Sequence, residues 1–123
     1  MGVDAAALLE DRAVYGRLAE TFVFQELRRQ ASWQTEELRF HHYRDKDGAE
    51  VDIVLERGGG RVAGIEVKAS ATVTASDFRG LRLLRDATGS RFVAGIVLYD
   101  GETVAGFGNG LHAVPIRTLW ETT

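Results

Sequence analysis

The sequence predicts an α/β fold: a mixed sheet built in the order helix, three strands, helix, strand. Three observations carry that reading. A helical apolar stripe runs through residues 15–30. Three extended segments follow between 38 and 68, divided by Asp45-Lys46-Asp47-Gly48 and by Arg57-Gly58-Gly59-Gly60. A second amphipathic stretch then leads into FVAGIVLY at 92–99, a continuous apolar run suited to a strand buried on both faces.

Each element has its own signal. In the first helix Leu18, Phe22 and Leu27, with Val23 and Phe24, form the stripe, and Glu20 sits mid-helix beside it. Residues 30–35 read as a loop, with Trp33 against the core. Residues 38–44 alternate, Leu38, Phe40 and His42 against Arg39, His41 and Tyr43, which is strand periodicity. In the strand at 50–56, strict alternation puts Val51, Ile53 and Leu55 on one face and Glu50, Asp52 and Val54 on the other. In the strand at 61–68, Ile65 and Val67 oppose Glu66 and Lys68. The glycine turn pairs these two strands as a hairpin and completes an antiparallel meander. After a polar connection at 69–74, Ser76 is placed to cap a helix running to about Ala87. Phe78, Leu81 and Leu84 form its apolar stripe, and Arg79, Arg82 and Arg85 recur on the other side. Asp100-Gly101 turns the chain into short extended pieces at 103–107 and 111–116, where Pro115 suits a strand end.

The chain has 123 residues, 45% of them hydrophobic, which is enough for one domain with a real core and is read as a single domain over 1–123. It has no cysteine, so disulfides, thiol catalysis and zinc–thiolate sites are excluded. No apolar run approaches the roughly 20 residues that span a bilayer, and no signal peptide is recognisable, so a cytoplasmic location is expected. A net charge of -3 argues against an obligate nucleic-acid coat but not against a nuclease, whose metal site itself needs acids.

Several motifs fail on inspection. The glycines from Gly59 to Gly64 have the spacing of a nucleotide-binding loop, but Ile65 stands where lysine is required. Gly106-Phe107-Gly108-Asn109-Gly110 lacks dinucleotide spacing. His41 and His42 are adjacent on a strand and face opposite ways, which disfavours a shared zinc. Asp52, Glu66 and Lys68 are different. On paired strands two acids and a lysine meet on one side, in otherwise apolar surroundings where unpaired charge is costly. Carboxylates suit a hard cation such as Mg2+ or Mn2+, and an ammonium beside it suits a phosphate. Solvated strand-face acids, or a cross-strand salt bridge from Lys68, are the alternative.

Asp52, followed by Glu66-Val67-Lys68, resembles the bipartite signature of the PD-(D/E)XK nuclease superfamily, and the predicted element order is that fold's core order. The chain is most similar to the uncharacterised C-terminal domain of predicted AAA-type ATPases. The similarity rests on Gly16 to Glu20, on the run from Arg44 to Asp52, on Glu66-Val67-Lys68, and on Val114-Pro115 with Leu119-Trp120. Val51 stands where the nuclease signature has proline. The resemblance implies a restriction-endonuclease-like core. It implies Asp52, Glu66 and Glu20 as metal-binding acids, and Lys68 as the group assisting the attacking water. Glu50 is peripheral. Arg79, Arg82 and Arg85 are then candidate nucleic-acid contacts, or a plain solvated face. DNA and an AAA-type ATPase portion are the expected partners. Two functions follow: a Mg2+-dependent endonuclease-like domain, or a non-catalytic module of the same fold that binds nucleic acid or packs on an ATPase.

Overall fold

Turn chemistry sets the first hairpin. In the computed structural model, which describes residues 25–26 and 38–118, the Asp45 carboxylate accepts the N–H groups of Asp47 (2.9 Å) and Ala49 (2.8 Å). Gly48 takes the positive φ, 86°, that closes the turn. This joins strand β1 (Leu38–Arg44) to β2 (Glu50–Arg57). The glycine turn at 58–60 joins β2 to β3 (Arg61–Lys68), with Arg57 opposite Arg61. Both pairings are antiparallel, as the meander predicts.

A 3-10 turn, Ala75–Phe78, then leads into helix α1 (Arg79–Thr88), after which β4 (Phe92–Tyr99) pairs parallel to β3. Two further strands complete the sheet, β5 (Ala105–Gly106) and β6 (Leu111–Pro115). The sheet order is β1-β2-β3-β4-β6-β5, with β4–β6 parallel and β5–β6 antiparallel. The fold is therefore α/β, with a mixed six-stranded sheet and one α-helix, α1, whose full span lies among the described residues. Gln25 and Glu26 are helical, within the first predicted helix; the rest of that helix, the loop at 30–35, Glu20 and the Leu119-Trp120 tail lie outside the described residues. Among those described, no helix is long and apolar enough to cross a membrane.

The helix seats on the sheet through glycine. A Cβ on Gly80 would lie 2.1 Å from the Glu50 carbonyl oxygen, and one on Gly64 would meet Leu81 and Leu84 at 2.6 and 2.8 Å. The lack of a Cβ at these glycines thus lets α1, with the turn before it, press Phe78, Leu81 and Leu84 against Val51, Val54, Val62 and Val97. Ile53, Ile65 and Leu98 form a second cluster.

Four expectations are corrected. Strict alternation in β2 fails: His41 pairs with Val54 but Tyr43 pairs with Val51, so Asp52 and Ile53 together oppose His42 in a β-bulge. Val51 and Val54 therefore share the α1-side cluster, while Ile53 joins the other. Ser76 does not cap α1: Thr74 caps a 3-10 turn, Ala75–Phe78, that leads into it. Only the last part of β4 is buried on both faces. Val93, skipped where the β3–β4 register shifts, is 51% exposed. The strand expected at 103–107 shrinks to Ala105–Gly106.

Candidate functional site

The β2–β3 ladder runs from the glycine turn to Ile53↔Ile65, and beyond that pair the two acids take over its hydrogen bonding. Asp52 donates its N–H to Glu66 Oε1 (3.1 Å), and Val67 donates its N–H to Asp52 Oδ2 (2.9 Å). Each carboxylate reaches across the gap to the other strand's backbone. The bulge puts Asp52 there, since an extra residue in β2 bends the strand and breaks the regular ladder. On the β1 side, His42 Nδ1 lies 3.4 Å from the Asp52 carbonyl oxygen.

Burial sets the electrostatics. It is the largest influence on the half-buried Asp52 and pushes its carboxyl above the ordinary value of 3.8. The Val67 N–H, a side-chain hydrogen bond with Glu66 and the nearby His42 all favour the charged form without cancelling that effect, and Glu50 adds repulsion. Two carboxyls in hydrogen-bond contact favour either a shared proton or a cation between them. Hard carboxylate oxygens suit a divalent cation such as Mg2+, so the donor chemistry of this pair fits one. Among the described residues, no group of three or more His, Asp or Glu side chains gathers to hold a metal.

Lys68 sits two residues beyond Glu66 on β3, but its ammonium is held elsewhere. Nζ contacts Asp77 Oδ2 at 2.5 Å, with the two side chains 32% and 23% exposed. The same oxygen accepts the Thr74 N–H at 2.7 Å, which caps the turn before α1. Burial alone would raise the Asp77 carboxyl; the hydrogen bonds from Lys68 and Thr74 outweigh it and hold it below the ordinary value. Asp77 was not among the residues singled out from the sequence. The available signal was Thr74-x-x-Asp77, the spacing of a capping box, which Ser76 masks.

The other candidates divide. Glu50 is exposed and pairs with Arg44 across the β1–β2 turn. Arg79 is exposed. Arg82 donates to the Ala75 carbonyl oxygen at 2.8 Å, and Arg85 contacts Asp86 (3.5 Å) and the Asn109 carbonyl oxygen (3.4 Å). The arginine row is thus partly spent on fastening α1 to neighbouring loops.

Residues 15–119 match the family described as Domain of unknown function (DUF4143). No curated protein matches the chain. Among solved structures, the chain is similar to one chain of a Thermococcus gammatolerans assembly, described as a refined half-complex from a tetradecameric assembly of McrB AAA+ hexamers with bound McrC. The TM-score is 0.56 at 14% identity, over 81% of this chain and 27% of that one. At that identity the likeness is one of fold. This chain corresponds to about a quarter of the length of the solved chain.

Proposed function

This chain belongs to the family of the Domain of unknown function (DUF4143), and from that premise we propose that it is a Mg2+-dependent nucleic-acid phosphodiester hydrolase domain of the PD-(D/E)XK type, working beside an AAA-type ATPase. The observation that carries the reading is the Asp52–Glu66 contact where the hairpin ladder ends, with Lys68 on the same strand. Asp52 and Glu66 would hold the ion, with Glu20 as a further acid. When bound, the ion polarises a phosphodiester and makes a neighbouring water more acidic. Lys68 places its ammonium beside the same end of β3, and Asp77 fixes where that charge stands. Arg79 is the member of the α1 row best exposed for a phosphate. The mixed sheet, its order β1-β2-β3-β4 and the α1 crossover between β3 and β4 support a restriction-endonuclease-like core. The AAA+ hexamers in the similar assembly support the ATPase association.

Two observations favour a second reading, a non-catalytic module of the same fold. Lys68 is engaged by Asp77, and only two acids converge among the described residues.

Calorimetric titration of the full chain with Mg2+ and Mn2+ separates the two. Binding that disappears in both Asp52→Ala and Glu66→Ala supports the hydrolase, as does metal-dependent cleavage of plasmid or branched DNA that is lost in Lys68→Ala. Absence of metal binding at millimolar concentration supports the module.

A further inference from the structure

At the opposite end of β2 from Asp52, four chain segments bring arginines together. Arg57 and Arg61 face each other directly across the glycine turn. Arg39 on β1 pairs with Glu56, the neighbour of Arg57. Arg91, just before β4, brings Nη1 to 3.5 Å from the Gly60 carbonyl oxygen. All four are exposed. Glu56 is engaged by His41 at 3.0 Å, and among the described residues no acid forms an ion pair with Arg57, Arg61 or Arg91. Like charges directly opposite on paired strands are destabilising. This concentration of positive charge occurs in a chain whose net charge is -3.

The surface there is concave. A cavity of about 200 Å³ lies between Arg39, Glu56, Arg57 and the three glycines. A second, of about 180 Å³, adjoins it through Arg57, with Arg61 on one side and an apolar wall that includes Leu55 and the exposed Val93. We propose that this end of the sheet binds the phosphodiester backbone of a nucleic acid. Guanidinium forks match phosphate oxygens two at a time. The cations are strung across adjoining depressions instead of converging on one point, which suits a chain of repeated charges better than a single anion. The apolar wall takes the face of a sugar or base. The site lies roughly 15 Å along β2 from Asp52. It needs no metal and no hydrolysis, so it stands or falls separately from the activity proposed above.

The test is fluorescence anisotropy of the full chain with labelled single- and double-stranded oligonucleotides, in EDTA, across a salt series. Arg57→Gln/Arg61→Gln is expected to weaken binding about tenfold or more and to make the slope of log K against log salt shallower by about 2. Arg91→Gln should weaken it further, while Arg44→Gln, at the other end of β1, leaves it unchanged. Full affinity in the double variant overturns the proposal. So does no binding by the wild type at low salt, or displacement of the oligonucleotide by polyglutamate at equal charge concentration, which points to an acidic protein surface instead. Should the glutamine variant fail to fold, Arg57→Lys/Arg61→Lys decides: weakened binding with the slope retained supports the guanidinium contacts, and full affinity refutes them.

Discussion

Gly80→Ala tests how α1 sits on the sheet, and its sign is informative. In an exposed helix interior this change stabilises by about 1 kcal/mol, because alanine is the better helix former. Here the added Cβ would lie 2.1 Å from the Glu50 carbonyl oxygen, a backbone atom that no side-chain rotation can move. Reaching an ordinary contact requires α1 to retreat by about 1 Å, and dispersion contacts fall off steeply over that distance. The retreat would lift the fully buried Phe78 and Leu81 from their seats. Overpacking of this kind typically costs about 1–3 kcal/mol, occasionally more. The helix-propensity gain offsets part of that, leaving a net loss of about 1 kcal/mol, or roughly 3–6 °C in Tm for a domain of this size. Thermal and urea melts followed by circular dichroism measure it. An unchanged or raised Tm would show that α1 does not rest on β2 at Glu50, and the placement of Asp77 beside Lys68 would lose its support.

Asp52→Asn keeps an oxygen to accept the Val67 N–H but removes the charge. Because the folded state raises the Asp52 carboxyl above 3.8, its ionisation penalises folding at neutral pH, and the penalty fades as pH falls toward and below that value. The variant is therefore expected to melt higher than wild type at pH 7, with the gain vanishing below about pH 4; a lower Tm at neutral pH counts against the burial argument. Asp77 has the opposite sign. Its carboxyl is held below 3.8, so its contribution is present at neutral pH and is lost as pH falls through the folded value. A double-mutant cycle with Lys68→Met and Asp77→Asn is expected to give a coupling of about 1–2 kcal/mol at pH 7, between the values for exposed ion pairs and for charged hydrogen bonds, and none well below pH 4. Additive effects at neutral pH would mean that the two side chains do not support each other.

Much of the architecture was legible because its causes are local. Asp45-Lys46-Asp47-Gly48 and the triple glycine announce their turns through side-chain capping and positive φ, and the runs between them can only be strands. The amphipathic stripe of Phe78, Leu81 and Leu84 fixes which face of α1 is buried. The site was legible in part. Spacing placed Asp52 across from Glu66, but strict alternation misassigned Val51 and Val54, since a bulge changes which residues share a face and leaves no signature in a short apolar run. The partner of Lys68 was misplaced for a similar reason: Thr74, Ser76 and Asp77 compete to start one helix, and only the assembled turn shows which carboxylate faces the ammonium.

The order of strands and helix, the turns and the types of residue in the candidate site follow from the sequence alone, because backbone conformation and amphipathic period are decided within a few neighbouring residues. Tertiary structure decided where the β2–β3 ladder ends, that Asp77 holds Lys68, and that Arg39, Arg57, Arg61 and Arg91 share one end of the sheet. Those contacts join segments far apart along the chain, and their geometry is set by how closely glycine lets the helix and strands approach.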